Sequence, residues 1–412
     1  MRIIWLKTGP LHPLDTGGKI RTYNMLRALK RSHEVTYVSL CPLEVPETIK
    51  KSAQEYCHRA AWIPWQETHK GSLKFFSDLA LNQFGSSLPY VICKYRSLAM
   101  ATATHSVVEK ASPDLIICDF LTPAVNLFPA GRKPKTPLLL FQHNVEALIW
   151  KRLYEKTEGA VKRFYFKCQW RRMQCFERDT CARFDGVVGV SPEDCNIMRH
   201  EYDLTNVLGD VPTGVDCESY AAAPASDREP HSLVFLGSMD WMPNIDAVEY
   251  FTSEIWPAVR QKHPEATFTI VGRNPPAKVR EMEQRFPGVR VTGTVDDVKP
   301  FLNKAAAMIV PLRVGGGTRI KIFEGMATGI PVISTQIGAE GLPVKHGENI
   351  LLADTPAEFV GQISALFENP SCGENLGAAG RTLVQTNFGW DKVSRTFEEY
   401  CRQVVEIGKK RK

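Results

Sequence analysis

The chain has 412 residues, 43% hydrophobic and 23% charged, with 51 Lys and Arg against 45 Asp and Glu, for a formal net charge of +6. That length exceeds one ordinary hydrophobic core, so two domains are expected, and the composition excludes a disordered or fibrous chain. The mild positive charge suits anionic small molecules or an anionic surface and does not call for nucleic acid.

The N-terminal apolar run, residues 3–6, is too short for a signal core and ends at Lys7. No run approaches the length that spans a bilayer. Eleven cysteines, an odd number without a CxxC pair, read as reduced thiols of a cytoplasmic protein. Cys57-His58 has no partner pair at ligand spacing, so no metal site is expected.

Residues 3–6 predict a short buried strand, Gly17-Gly18 a loop, 19–31 a helix with Leu26 and Leu29 on one face, and 35–40 the next strand. This is a βαβ start with a glycine loop but without GxGxxG. Further buried strands are expected at 115–118, 138–141 and 187–190, with a long helical segment over 145–184. Within it, residues 161–184 carry seven basic and two acidic side chains, with Phe166, Trp170 and Met173 at i, i+4, i+7. Two readings stand: a helix lying on an anionic membrane, or one packing its apolar face on its own domain, the latter preferred. Residues 221–230 have linker composition.

The pattern then restarts. Strands are expected at 233–237, 267–271, 289–292, 307–311 and 332–334, with helices at 247–261 and 390–405. Strand–helix alternation implies parallel doubly wound sheets, here twice, with ligands at the carboxyl ends of the strands.

Residues 310–335, VPLRVGGGTRIKIFEGMATGIPVIST, join buried strand, three glycines, basic residues, a helix carrying Glu324 and a second buried strand. Bare glycine backbone at a helix start, with Arg319 and Lys321 beside it, suits a diphosphate, and the Glu324 carboxylate suits a ribose diol. The plainer reading is a flexible loop before a solvated helix start whose acid complements the dipole. No Asp-x-Asp pair occurs in the chain, so the sequence requires no divalent metal.

Several segments carry a family resemblance in order: Gly17-Gly18, His143-Asn144-Val145-Glu146, Val190-Ser191, Pro212-Thr213-Gly214-Val215-Asp216, Gly272-Arg273, Gly293-Thr294-Val295, the loop 315–324 and Gly329-Ile330-Pro331-Val332. Over nearly its full length the chain resembles retaining GT-B glycosyltransferases of the family-4 type. The resemblance implies an α/β GT-B fold of two Rossmann-like domains facing a central cleft. Residues 1–220 would form the acceptor-side domain, 221–230 the linker, 231–388 the donor-side domain, and 389–412 a helix crossing back.

It implies transfer of a sugar from a nucleotide diphosphate sugar (a UDP- or GDP-sugar) to a glycan or lipid-linked acceptor, with retention and without a metal or cofactor. The setting would be polysaccharide biosynthesis in the cytoplasm, with the inner face of the plasma membrane as a peripheral alternative. Glu324 would hold the ribose, and Arg319 and Lys321 the diphosphate. Gly17, Gly18, Gly316, Gly317 and Thr318 would approach the diphosphate by backbone. Gly272, Arg273 and Val295 would wall the base, and His143 would contact the reacting sugar or acceptor. Lys19, Arg21 and Asp119 are acceptor-side candidates; a plain turn, solvated charges and a satisfied core histidine are the competing readings.

Two departures stand out. The first of the family's two donor-loop glutamates falls on Gly316, and Gly237-Ser238-Met239-Asp240-Trp241 replaces the usual Arg and Lys after the first C-domain strand. Rival functions are a nucleotide-sugar epimerase on the same fold and a non-catalytic nucleotide- or glycan-binding module.

Overall fold

The computed structural model describes residues 1–14, 16–69, 71–128, 133–220, 224–239, 241–314 and 320–411, with the side chains of 156 and 225 excepted. The chain divides into two compact units, Met1–Pro212 with Val393–Lys412, and Thr213–Lys392. Glu229 and Pro230, read as linker from composition, open a strand instead.

The first unit is built on seven parallel strands: β1 (Arg2–Lys7), β2 (Glu34–Cys41), β3 (Arg59–Pro64), β4 (Leu115–Asp119), β5 (Leu138–Phe141), β6 (Gly186–Gly189) and β7 (Val207–Asp210), in the order β3-β2-β1-β4-β5-β6-β7. β1 pairs with β2 from Arg2↔Glu34 to Lys7↔Ser39 and with β4 from Ile3↔Leu115 to Leu6↔Cys118. Central strands are apolar on both faces because helices cover both, which is why they read as continuous hydrophobic runs. The helix Trp390–Lys410 closes the chain, and from Val393 onward it belongs to this unit. Phe397 packs on Trp5 and Phe141 at ring separations of 5.8 and 4.7 Å.

The segment 145–184 is two helices, Glu146–Lys156 and Ala160–Cys181. Gly159, at φ +92°, turns the chain between them. The longer helix buries Gln169, Met173, Glu177, Thr180 and Cys181 against its own unit, the packing expected for it. Glu177 anchors it: its carboxylate accepts from Gln142 Nε2 (2.5 Å), from the backbone N–H groups of Glu146 and Ala147 at the start of the shorter helix, and from the Tyr202 hydroxyl.

The second unit holds six parallel strands: β8 (Glu229–Leu236), β9 (Thr267–Val271), β10 (Val289–Gly293), β11 (Ala305–Val310), β12 (Val332–Ser334) and β13 (Leu351–Leu352), in the order β10-β9-β8-β11-β12-β13. Its core runs from Phe235, Phe251 and Phe268 to Phe323 and Phe359. The helix expected at 247–261 starts at Met242 and passes through one wider π turn at Phe251–Ile255. Among the described residues, no helix is long and apolar enough to cross a membrane.

Candidate functional site

In the first unit a polar cluster sits at the carboxyl ends of β1, β4 and β5. Asp119, the last residue of β4, has no exposed surface. Its Oδ2 accepts from Trp5 Nε1 (3.0 Å), Lys7 Nζ (2.7 Å) and the Thr22 hydroxyl (2.6 Å), and His143 Nε2 lies 2.7 Å from its Oδ1. Lys7 Nζ also donates to Thr22 Oγ1 at 2.9 Å. Phe120 follows with φ +72°, stacks on the His143 ring at 3.8 Å and lies under the Lys7 ammonium. A strained non-glycine backbone of this kind persists only where its surroundings fix it.

Burial alone would raise the Asp119 carboxyl, but Lys7 and His143 hold it well below the usual carboxylate range. Burial lowers Lys7 against the pull of Asp119. It lowers His143 to about 4 against the same pull, so the imidazole is neutral near pH 7. Arg21 is buried over the Phe141 ring and is pushed down to about 9 by burial. Gly17 and Gly18 start the helix Gly17–Lys30, and a side chain on Gly18 would meet the Phe120 ring at 2.9 Å. The structure thus gathers Gly18, Arg21, Asp119 and His143 with Lys7, Thr22 and Trp5. Lys19 points elsewhere, its Nζ donating to the Pro13 carbonyl at 3.2 Å.

In the second unit a distinct group sits at the carboxyl ends of β8 and β9 and at the helix Ile320–Ala327. Lys321 Nζ donates to Asn244 Oδ1 (2.7 Å) and lies 4.5 Å over the Phe235 ring. Asn244 Nδ2 donates to the Ser238 carbonyl at 2.8 Å, and Arg273 Nε donates to Ser238 Oγ at 2.8 Å. Gly272 is pressed so close that a Cβ there would lie 1.8 Å from the Gly237 carbonyl oxygen. Only glycine fits, and the loops after β8 and β9 touch backbone to backbone.

Glu324 is half-buried and accepts from the Tyr220 hydroxyl at 3.0 Å. Burial raises its carboxyl, while Tyr220 and Lys321 oppose the rise. Val295, expected at the base pocket, packs on the core of this unit just past Gly293 at φ +72°. Gly316, Gly317, Thr318 and Arg319 lie outside the described residues. Among the described residues, the group His231, His263 and Glu265 has the spacing to hold a metal ion. It lies at the amino ends of β8 and β9, opposite Lys321 and Glu324.

Sequence reasoning missed Lys7, Thr22, Tyr220, Ser238 and Asn244. Lys7 carried a signal, a lysine inside a buried strand that needs an acid partner. Tyr220 carried none, being 104 positions from Glu324.

Residues 230–369 match the family described as Glycosyl transferases group 1. The chain carries a glycosyl transferases group 1 domain. It is 20% identical over 418 residues to an uncharacterized 44.6 kDa protein in the cps region of Klebsiella pneumoniae, covering 97% of this chain and 99% of that one. It is 28% identical over 217 residues to a phosphatidyl-myo-inositol mannosyltransferase of Mycobacterium tuberculosis, matching 49% of this chain and 55% of that enzyme. The same fold occurs in sucrose-phosphate synthase of Thermosynechococcus elongatus (TM-score 0.71, 17% identity, 98% and 99% of the two chains). It occurs too in HepE of Anabaena, solved with UDP (TM-score 0.68, 13% identity, 98% and 100%). The fold of this chain is therefore the GT-B one, two Rossmann-like units.

The His143 shift has a definite sign. A histidine lowered on folding contributes stability above its ordinary value of 6.5, lost as pH falls toward 4. Imidazole NMR shifts should therefore report a neutral ring at about pH 6, and a ring titrating near 6.5 would mean that the pull of Asp119 offsets the burial. Tyr220→Phe removes a donor to Glu324 and should lower unfolding free energy in urea by about 1 kcal/mol. An unchanged midpoint would mean that the hydroxyl does not hold the carboxylate.

Proposed function

We propose that this chain transfers a sugar from a nucleotide diphosphate sugar to a glycan or lipid-linked acceptor, with retention of anomeric configuration and without a metal. The observation that carries the reading is the placement of Lys321. Its ammonium reaches the loop after β8, beside Ser238, Asn244 and the Gly237–Gly272 backbone contact. That is where the resemblance leaves a gap, since the family's usual Arg and Lys are missing from this loop.

On this reading Lys321, with Arg319, neutralises the diphosphate as it leaves, supplying in fixed charges what a cation supplies elsewhere. Glu324, four positions into the helix Ile320–Ala327, accepts from the ribose hydroxyls. Gly272 and Arg273 border the base. HepE was solved with UDP, and on this reading the donor here is a UDP- or GDP-sugar.

The bond from the anomeric carbon to the diphosphate oxygen breaks, and the acceptor oxygen bonds to that carbon on the same face. A diphosphate oxygen takes the acceptor proton, leaving nucleoside diphosphate and glycoside, so the protein orients and balances charge. We assign the acceptor to the first unit, with the neutral His143 offering a hydrogen bond and Arg21 and the Gly17-Gly18 turn as its polar surroundings. Asp119 serves as the anchor of that histidine: enclosed by Lys7, Trp5 and Thr22, it has no surface from which to take a sugar proton. This weighs against an epimerase.

A thermal-shift panel with UDP, GDP and ADP on wild type and Glu324→Ala tests the donor site. Ligand at 100-fold over its dissociation constant should stabilise by about 2.7 kcal/mol. The response should be confined to one diphosphate and lost in Glu324→Ala. Equal responses in the two proteins would remove Glu324 from the site.

A further inference from the structure

The amino end of β8 holds a residue its own backbone does not favour. His231 has φ +58°, in the left-handed region that a histidine adopts only where its surroundings fix it. The strand bulges there: Ala305 of β11 pairs with Glu229, but Ala307 pairs with Leu233. Ser232 fills the break, its hydroxyl oxygen accepting from the Ala306 N–H at 3.0 Å. A bulge re-aims a side chain, and this one lays the His231 ring along that of His263, at 5.8 Å and 21° between planes.

His263 follows the helix Trp256–Lys262, and Glu265 stands in the turn that leads into β9. One ring nitrogen of each histidine and a carboxylate oxygen of Glu265 lie within 4.8 Å of one another. His231 Nδ1 is 3.0 Å from Glu265 Oε1. The helix Pro356–Glu368 supports the pair. Its Ser364 Oγ lies 3.0 Å from His263 Nε2, and its Phe367 ring meets both imidazoles edge-on, at 4.8 and 5.2 Å. The ring planes are thus held by the fold, while the His231 and Glu265 side chains, 30% and 54% exposed, stay open to an ion from solvent.

An ion pair this exposed adds little to stability and does not by itself account for a left-handed histidine. Two imidazoles and one carboxylate are the donor set of a zinc-type cation, whereas magnesium and calcium prefer oxygen shells. Zinc bonds of about 2.0–2.1 Å set tetrahedral ligand atoms roughly 3.3 Å apart. The His231–Glu265 separation is already near that value, and side-chain rotation closes the rest. The Ser364 hydroxyl serves as the outer partner that orients a ligating imidazole.

We propose that His231, His263 and Glu265 form a zinc-type cation site, with a fourth position for water. The ion ties the amino end of β8 to the turn before β9. Lys321 and Glu324 lie at the other end of these strands, so the ion braces the sheet and takes no part in sugar transfer. The inference is independent of the donor-site reading. No spacing motif joins the two histidines in the sequence, and the site arises only when β8 and β9 pair.

Isothermal titration calorimetry of the full chain, stripped of metal by a chelator, tests the site with zinc chloride and with magnesium chloride. Wild type should bind zinc and not magnesium, and zinc should raise its melting temperature. Glu265→Gln and His231→Asn should each weaken zinc binding at least roughly tenfold. Asparagine tolerates the left-handed backbone and Glu265 is exposed, so both variants should melt as wild type does in chelator. Absence of zinc binding would overturn the proposal, as would magnesium bound as tightly as zinc. Zinc bound equally by wild type and both variants would equally overturn it, assigning the metal to the free cysteines.

Discussion

A carboxylate with no exposed surface keeps its charge only where donors surround it, and Asp119 draws its donors from separate parts of the first unit. Trp5 and Lys7 come from β1, Thr22 from the helix that follows, and His143 from the turn beyond β5. Central position in the sheet makes this workable, because β4 lies between β1 and β5 and its last residue meets both neighbours' carboxyl ends. The cluster therefore fixes which way the Gly17-Gly18 helix start faces and which way the His143 ring lies. Removing either member of the Lys7–Asp119 pair would strand a buried charge, a cost on the order of 3–5 kcal/mol.

The second unit solves the same problem of presentation with little buried charge. Close approach of Gly237 and Gly272 brings two strand ends together by backbone, and Asn244 then holds the Lys321 ammonium at that junction. Glu324 accepts from one phenolic donor, Tyr220. On the proposed reading Glu324 exchanges that partner for the ribose, and one neutral hydrogen bond is given up more cheaply than an ion pair. On the proposed reading the two units divide the chemistry: rigid, neutral-histidine positioning in one, exchangeable polar contacts in the other.

Much of this fold was legible because buried parallel strands are continuous apolar runs: β1, β2, β4, β5, β8, β9 and β11 all announce themselves. The strands that escaped are edge or near-edge ones. β3 opens on exposed Arg59 and Ala60, β7 is half-exposed, and β13 is two residues long, so none has an apolar run to read. The helix Leu73–Gly85 has clear periodicity yet faces solvent, and periodicity says which residues share a face, not what the face meets. Among the candidate residues, His143, Asp119 and Gly272 were placed at strand ends by topology. Partners supplied by distant segments were not, because Tyr220 and Asn244 become neighbours of Glu324 and Lys321 only once the sheet is assembled.

The central claim is that the nucleotide sits at the carboxyl ends of β8 and β9 against the helix Ile320–Ala327. Amide hydrogen exchange of the full chain with and without saturating UDP tests it most directly. The account predicts slowed exchange at Gly237, Ser238, Gly272, Arg273 and the first turn of that helix, with the strand interiors unchanged. Protection confined to other segments, such as the amino ends of β8 and β9 around His231 and Glu265, would contradict it.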